Sequence, residues 1–87
     1  MVLERAVSHY GSIHQVMVAI EEMAELTKEL LKHHNRGENR VLEITEEMAD
    51  VQIMLWQLSV ILDNGEEVNK AVESKVKRQE RRMNKGR

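Results

Sequence analysis

Two long stretches of this chain repeat apolar residues at intervals of three and four positions, the spacing of one face of an α-helix. The first stretch consists of Ile13, Val16, Ile20, Met23, Thr27 and Leu30, and the second of Val41, Ile44, Met48, Val51, Leu55, Leu58 and Leu62. The chain has no proline and only four glycines, so little interrupts either pattern. The sequence therefore predicts an all-α protein built around two long helices.

Turn-forming residues set the predicted ends of the first two helices. A short helix covers about residues 2–10 and ends at Gly11. Ser12 then acts as an N-cap, and Gln15 three residues later completes a capping box. The helix that follows reaches about His33, where a polar segment at 34–39 breaks the pattern.

The second half of the chain shows the same succession of helical patterns and breaks. A helix over about residues 40–62 is followed by a break at 63–65, and Glu66 and Glu67 then open a last helix with the acidic first turn that suits the helix dipole. The short breaks imply antiparallel neighbours, so we expect an antiparallel helical bundle.

Residues 53–62 are apolar on nearly every side of their helix. A helix of this kind must be covered from more than one direction. Three or four helices of a single 87-residue chain can hardly provide that cover. We therefore expect a homo-oligomer, a dimer or a tetramer, whose partner completes the bundle.

Length and composition narrow the class of protein. At 87 residues and 10.2 kDa, residues 1–87 are expected to form a single domain. The chain has no cysteine, which excludes disulfides and thiolate metal sites. No apolar run reaches the roughly 18 residues of a membrane span and no signal-peptide pattern opens the chain, so a cytoplasmic protein without membrane contact is expected.

The net charge of −2 conceals an uneven distribution. Residues 1–69 carry 13 acidic and 5 basic side chains, whereas residues 70–87 carry 2 acidic and 8 basic ones. Such a basic end suits either a nucleic-acid-binding arm or an anion-binding helix beside a cation site. Two aromatic residues, Tyr10 and Trp56, are too few for a base-stacking platform, which makes nucleic acid the less favoured partner.

An acidic hexapeptide occurs twice, at 21–26 and at 46–51. The carboxylates at i and i+3 within the two copies are Glu22, Glu25, Glu47 and Asp50. Residues three apart lie about 60° apart around a helix and therefore share a face. In an antiparallel hairpin both copies lie at comparable distances from the connecting loop, so the four carboxylates are predicted to converge.

An ordinary solvated helix face is the alternative interpretation of these acids. Two observations weigh against it. Pairs four residues apart, such as Glu21 and Glu25, carry like charges, where a solvated face normally pairs Glu with Lys. Met54 and Leu58 also lie on the angular sector of Glu47, so this face turns apolar within two turns. Carboxylates without His or Cys favour a hard ion, Mg²⁺ or Mn²⁺.

The last helix carries the complementary charge. Lys75, Arg78 and Arg82 are predicted to bind phosphate oxygens that a metal leaves uncovered. The alternative for this helix is a solubilising or nucleic-acid-binding tail.

The paired motifs and their context resemble the all-α nucleoside triphosphate pyrophosphohydrolases, a superfamily that includes MazG, the dimeric dUTPases, dCTP pyrophosphatases and phosphoribosyl-ATP pyrophosphatase. The resemblance is carried by "EEMAELTKELLK", then "ITEEMADVQIMLWQL", by Gln15 ahead of the first motif, and by Lys75 and Arg78 in the closing helix. It covers roughly residues 3–83 and is greatest to the small single-domain MazG-like proteins.

The resemblance implies an activity and a set of site residues. The activity is Mg²⁺-dependent cleavage of a nucleoside triphosphate into monophosphate and pyrophosphate. By this resemblance, the family's metal ligands correspond to Glu22, Glu25, Glu47 and Asp50. Carboxylates that orient water or lie in the outer shell of the metal correspond to Glu21 and Glu46. The substrate-binding residues correspond to Gln15, Lys75 and Arg78. Two alternatives remain open: a non-catalytic regulatory or interaction module, and a nucleic-acid-binding helical dimer.

Overall fold

A computed structural model describes residues 2–86 and is helical almost throughout. It contains four helices: α1 at Val2–Tyr10, α2 at Ser12–Asn35, α3 at Val41–Leu62 and α4 at Gly65–Lys85. Within residues 2–86 there is no strand, which confirms the all-α class. None of these helices combines the length and the apolar character needed to cross a membrane.

The junction between α1 and α2 depends on Gly11. Its φ of 92° lies in a region that glycine occupies readily and other residues avoid. Gly11 takes the N-cap position of α2, and no side chain caps that helix end. The predicted capping box is therefore wrong: Ser12 is the first helical residue, and the side chain of Gln15 points into the contact with α3 instead.

The other predicted helix ends agree with the structure to within two residues. Helix α2 continues to Asn35, and the N–H of Glu38 donates back to the carbonyl of Lys32 at 3.2 Å across the turn. Helix α3 ends at Leu62, and the residue that follows it, Asp63, has a left-handed φ of 52°. Asp tolerates this conformation better than most non-glycine residues, so the chain reverses there and α4 begins directly at Gly65.

The central unit is an antiparallel hairpin of α2 and α3. Gln15 near the start of α2 meets Gln57 late in α3, and Glu29 near the end of α2 meets Arg40 just before α3. Helix α1 packs against both long helices, whereas α4 contacts only α3 among the described helices. The hairpin thus fixes the relative position of the two acidic motifs.

The core of a single chain is small. Its buried hydrophobic side chains are Val7, Ala19 and Met54, and among residues 2–86 no large side chain is fully enclosed. In the apolar second half of α3, Leu55 and Trp56 are both about half exposed. A single chain therefore leaves this segment partly uncovered, as expected from its sequence.

Helix α4 contacts the hairpin only through α3 and is exposed along its length. It contains no buried residue, and its apolar stripe at Val68, Val72, Val76 and Met83 is 41–62% exposed. The cationic groups of α4 therefore do not lie beside the core of a single chain.

Candidate metal centre

Three carboxylates from the two acidic motifs meet between α2 and α3. Glu22 of α2 lies opposite Glu47 and Asp50 of α3, and one oxygen from each of the three lies within 4.8 Å of the others. The antiparallel register causes this meeting, because the two motifs are at similar distances from the loop. Convergence of the motifs is thus observed for three of the four expected ligands.

Burial within this cluster is uneven. Glu22 and Glu47 are half-buried and Asp50 is exposed. The Oε2 atom of Glu47 is fully enclosed and has no hydrogen-bond partner among residues 2–86. A buried charged oxygen without a partner is costly, since burial removes its hydration and nothing replaces it. Glu47 is therefore the residue whose desolvation cost a bound cation would offset most.

The electrostatics of Glu22 agree with this picture. Burial raises the pKa of Glu22 above its ordinary value, and the negative charges of Asp50 and Glu47 raise it further. Both effects disfavour the ionised form of a carboxyl group. A cation among the three side chains would reverse the effect of the neighbouring charges.

Glu25 lies outside this group although the sequence predicted it as a ligand. Its side chain is exposed, and the cluster formed by the described residues contains only Glu22, Glu47 and Asp50. On α3 the same offset of about 60° keeps both Glu47 and Asp50 in the cluster, so it is the rotation of α2, which points Glu22 at α3, that leaves Glu25 outside. Glu21 and Glu46 are also exposed, and each directly precedes a cluster residue in the chain.

The donor set fits a hard divalent cation. Three carboxylates with an open, partly solvated side match the few protein oxygens that Mg²⁺ accepts while it keeps water ligands. Mn²⁺ accepts the same oxygen ligands, whereas the absence of imidazole and thiolate groups disfavours zinc. Glu22, Glu47 and Asp50 are the residues that would hold the ion.

A buried pair of amides lies two turns from the carboxylates. Nε2 of Gln15 donates to Oε1 of Gln57 at 2.6 Å, and Oε1 of Gln15 lies 2.8 Å from Nδ1 of His14. Gln15, expected to bind substrate, is 5% exposed and its amide is engaged within the chain. Gln57 was not singled out from the sequence, although a polar residue inside an apolar run signals a buried hydrogen bond.

An ion pair closes the other end of the hairpin. Nε and Nη2 of Arg40 donate to the two carboxylate oxygens of Glu29 at 2.7 and 3.2 Å, and Lys32 lies 3.6 Å from the same carboxylate. The charge and hydrogen bonds of Arg40 hold the pKa of Glu29 below its ordinary value. The sequence pattern does not indicate this pair, because Glu29 is in α2 and Arg40 lies beyond the loop, where no helix period relates the two residues.

The predicted phosphate-binding residues are on α4 and away from this cluster. Lys75, Arg78 and Arg82 are exposed, and within residues 2–86 none of them forms a hydrogen bond or an ion pair. Helix α4 makes no contact with α2, so within a single chain these basic side chains are not brought next to Glu22. They remain available to an external anion.

Comparison of the chain with known protein families, with curated proteins and with solved structures finds no match in any of the three. The candidate site is therefore defined by its own geometry: three converging carboxylates, one of them with an enclosed and unpartnered oxygen.

Proposed function

We propose that this chain is a Mg²⁺-dependent nucleoside triphosphate pyrophosphohydrolase that releases a nucleoside monophosphate and pyrophosphate. The observation that carries the proposal is the enclosed, unpartnered Oε2 of Glu47 beside Glu22 and Asp50. The three carboxylates repel one another, and no basic side chain of the described residues pairs with them. This repulsion destabilises the folded chain, and a bound metal ion would offset it. The resemblance of the two motifs to the MazG-like enzymes supplies the reaction type.

The roles of the side chains follow from their positions. Glu22, Glu47 and Asp50 would hold the metal, which when bound supplies charge neutralisation for the phosphates and a lowered pKa for an attacking water. Glu21 and Glu46 are exposed and precede Glu22 and Glu47 in the chain, and in the proposal their carboxylates orient water by accepting its hydrogen bonds. Glu25 belongs with these outer carboxylates rather than with the ligands.

The phosphate-binding part of the proposal rests on α4. Carboxylates bind a triphosphate only through the metal, so oxygens turned away from it need cationic partners. Lys75, Arg78 and Arg82 are exposed and free of partners within the described chain. We extend the proposal to a cytoplasmic homo-oligomer, a dimer or a tetramer, that removes unwanted nucleotides from the cellular pool.

The deciding experiment is a screen of the common ribo- and deoxyribonucleoside triphosphates with Mg²⁺, in which monophosphate, pyrophosphate and orthophosphate are quantified separately. We expect monophosphate and pyrophosphate in equal amounts from at least one substrate, and no turnover in Glu47→Gln. Glu66→Gln is the matched control, because it removes an exposed carboxylate far from the cluster. Orthophosphate as the product would contradict cleavage between the α- and β-phosphates, and full activity of Glu47→Gln would contradict the site.

Nucleic-acid binding is the second candidate, and the exposure of every cationic side chain on α4 favours it. Such binding would depend steeply on salt, because each neutralised phosphate releases a counterion. Titration of double-stranded DNA and single-stranded RNA at several salt concentrations tests it. A steep decrease in affinity with salt, without turnover of any triphosphate, would favour this candidate over the enzyme.

A further inference from the structure

A cleft lies at the corner where the end of α3 meets the start of α4 and the first turn of α1. Its volume is about 370 Å³, and all three helices and the turn after α3 contribute to its walls. Among its lining residues are Glu4 of α1, Trp56 and Ser59 of α3, Asp63 of the turn, and Val68 and Asn69 of α4. The cleft is separate from the candidate metal centre, because Trp56 lies nine residues beyond Glu47, about 14 Å along α3.

The charged groups of this cleft are all acidic. Glu4 and Asp63 line it from exposed positions, and among residues 2–86 no Lys, Arg or His lines it. Within the described part of the chain, neither carboxylate forms an ion pair. Two negative charges therefore border one small volume without a positive group to balance them.

The end of α3 adds negative potential at the same place. The carbonyl end of a helix carries a partial negative charge, which a basic side chain in the last turn stabilises. Helices α1, α2 and α4 each have a basic residue in the last turn, whereas α3 has none and is followed by Asp63. The start of α4 is positive, but Glu66 and Glu67 in its first turn offset that charge. An external cation is therefore stabilised at the end of α3.

Most polar side chains at this corner accept hydrogen bonds and have no proton to give. The carboxylates are acceptors only. The hydroxyl of Ser59 donates its proton to the carbonyl of Leu55 at 3.2 Å, which leaves its oxygen as an acceptor. Oδ1 of Asn64, a residue that lines the adjoining cavity, is fully enclosed and has no hydrogen-bond partner among the described residues. A ligand with several N–H donors suits this set of acceptors.

Trp56 gives the cleft an aromatic wall. Its side chain is about half exposed, and the ring face of an indole attracts cations more strongly than that of Tyr or Phe. Val68, which is 41% exposed, adds apolar surface on the α4 side. The cleft thus combines acidic, hydrogen-bond-accepting, aromatic and apolar surface, which suits a protonated amine on a methylene chain.

Two other classes of ligand fit the cleft less well. The described residues bring three metal-ligand atoms together only at the carboxylate cluster between α2 and α3, so this corner offers no comparable metal site. A nucleotide would stack its base on Trp56, but its phosphates would then lie near Glu4 and Asp63 without a cationic partner. The charge of the lining therefore selects against anions.

We propose that this cleft binds a small organic cation with N–H donors, of the diamine and polyamine class. An ammonium group donates to the carboxylates of Glu4 and Asp63, and the methylene chain lies along Trp56 and Val68. The bound amine joins α1 to the turn between α3 and α4. No residue of the candidate metal centre takes part, so the inference is independent of the proposed hydrolase activity.

The first test uses the fluorescence of Trp56, the only tryptophan of the chain, which reports directly on the cleft. Titration of the full chain with putrescine should give a saturable change. The uncharged molecule of the same length, 1,4-butanediol, should give none. Tetramethylammonium, a cation without N–H donors, should bind more weakly than putrescine because it forms no hydrogen bond with the carboxylates.

The second test removes the charges of the cleft one at a time. Asp63→Asn keeps the left-handed turn, because Asn adopts that conformation as Asp does, and Glu4→Gln changes an exposed side chain. We expect each to weaken putrescine binding roughly threefold to tenfold, as loss of a partly screened ion pair does. Glu38→Gln, at an exposed residue between α2 and α3, is the matched control and should bind putrescine as the unaltered chain does. Glu47→Gln should also bind it unchanged, which separates the cleft from the carboxylate cluster.

Thermal melting detects binding that leaves the fluorescence unchanged. A ligand that binds the folded state raises the melting temperature. Putrescine should therefore raise the melting temperature of the unaltered chain and of Glu38→Gln by more than that of Asp63→Asn.

Three outcomes would overturn the proposal. The first is that putrescine gives neither a saturable fluorescence change nor a higher melting temperature. The second is that Glu38→Gln and Asp63→Asn lose affinity equally, which would show attraction to the acidic surface as a whole. The third is that 1,4-butanediol or adenosine changes the fluorescence as strongly as putrescine, which would make Trp56 the wall of a site for uncharged ligands. None of these measurements uses a nucleotide or a metal ion, so they test the cleft whether or not the chain is an enzyme.

Discussion

Gln15 and Gln57 join α2 to α3 through a buried hydrogen bond of 2.6 Å between Nε2 of the first and Oε1 of the second. Both side chains are at most 5% exposed. The pair lies about 10 Å, seven residues along each helix, from the level of Glu22 and Asp50. A polar pair at this depth fixes the register of the hairpin, and with it the meeting of the three carboxylates.

Removal of one partner of this pair should destabilise the protein. Gln15→Ala leaves the Gln57 amide unsatisfied inside the hairpin, and we expect a loss of about 1–3 kcal/mol in the free energy of unfolding. The double variant Gln15→Leu/Gln57→Leu should lose much less, because neither amide then remains buried without a partner. Urea denaturation followed by circular dichroism measures both. Equal losses in the two variants would show that packing, not the hydrogen bond, dominates.

Glu47→Gln should separate metal affinity from stability. We expect Mn²⁺ affinity to decrease by at least the roughly 10–100-fold that loss of an outer-shell partner costs a metal site. The metal-free variant should be as stable as the unaltered chain or slightly more so, since one charge leaves a repelling cluster. Calorimetric titration with Mn²⁺ and thermal melting in a chelator measure the two effects. Unchanged Mn²⁺ affinity would remove Glu47 from the ligand set.

The raised pKa of Glu22 predicts the pH dependence of the metal-free protein. The folded state binds this proton more tightly than the unfolded state, so stability decreases as pH rises from the ordinary pKa of glutamate through the raised pKa of Glu22. Metal affinity should change in the opposite direction and weaken as pH falls through the same range, because the proton competes with the ion. Both slopes should flatten in Glu22→Gln, and a persistent slope in that variant would assign the titration to another group.

The Glu29–Arg40 pair predicts a pH dependence of folding stability that is opposite in sign to that of Glu22. Its lowered pKa means that Glu29 stabilises the fold above the ordinary pKa of glutamate, and that this contribution is lost as pH falls through the lower pKa of the folded state. Glu29→Gln should therefore lower the melting temperature at neutral pH. Glu73→Gln, which breaks the exposed i,i+4 pair with Lys77, should have a much smaller effect. Similar effects of the two changes would argue against a special role for the partly buried Glu29–Arg40 pair.

Lys75→Ala with Arg78→Ala should weaken nucleotide binding while leaving Mn²⁺ affinity unchanged. Each lost charge-assisted contact costs about 1.5–3 kcal/mol, which corresponds to one to two decades in affinity. The control is Arg81→Ala with Lys85→Ala, which removes the same charge from the same exposed helix. If both double variants lose affinity equally, α4 attracts the nucleotide by its overall charge rather than by specific contacts.

The local spacing of residues determined the secondary structure. Alternating intervals of three and four in the apolar residues, together with the glycines and polar breaks, predicted four helices, and their ends lie within one or two residues of the predictions. These features are local, since an α-helix is stabilised by contacts between residues three and four apart. The same spacing and the short loop predicted that Glu22, Glu25, Glu47 and Asp50 would meet, and the structure brings together three of them, Glu22, Glu47 and Asp50.

Only the tertiary structure decided which side of each helix faces the other. A stripe of apolar residues indicates that a helix surface is buried, but it does not indicate which surface packs on it. The reason is that the hydrophobic effect has no directional preference. The hairpin instead uses Gln15, Ala19 and Glu29 at its contact and leaves Ile20 outside. The rotation of α2 that results brings Glu22 to the carboxylate cluster and turns Glu25 away. Angular position about a helix axis depends on the partner helix, and the sequence of one helix does not contain that information.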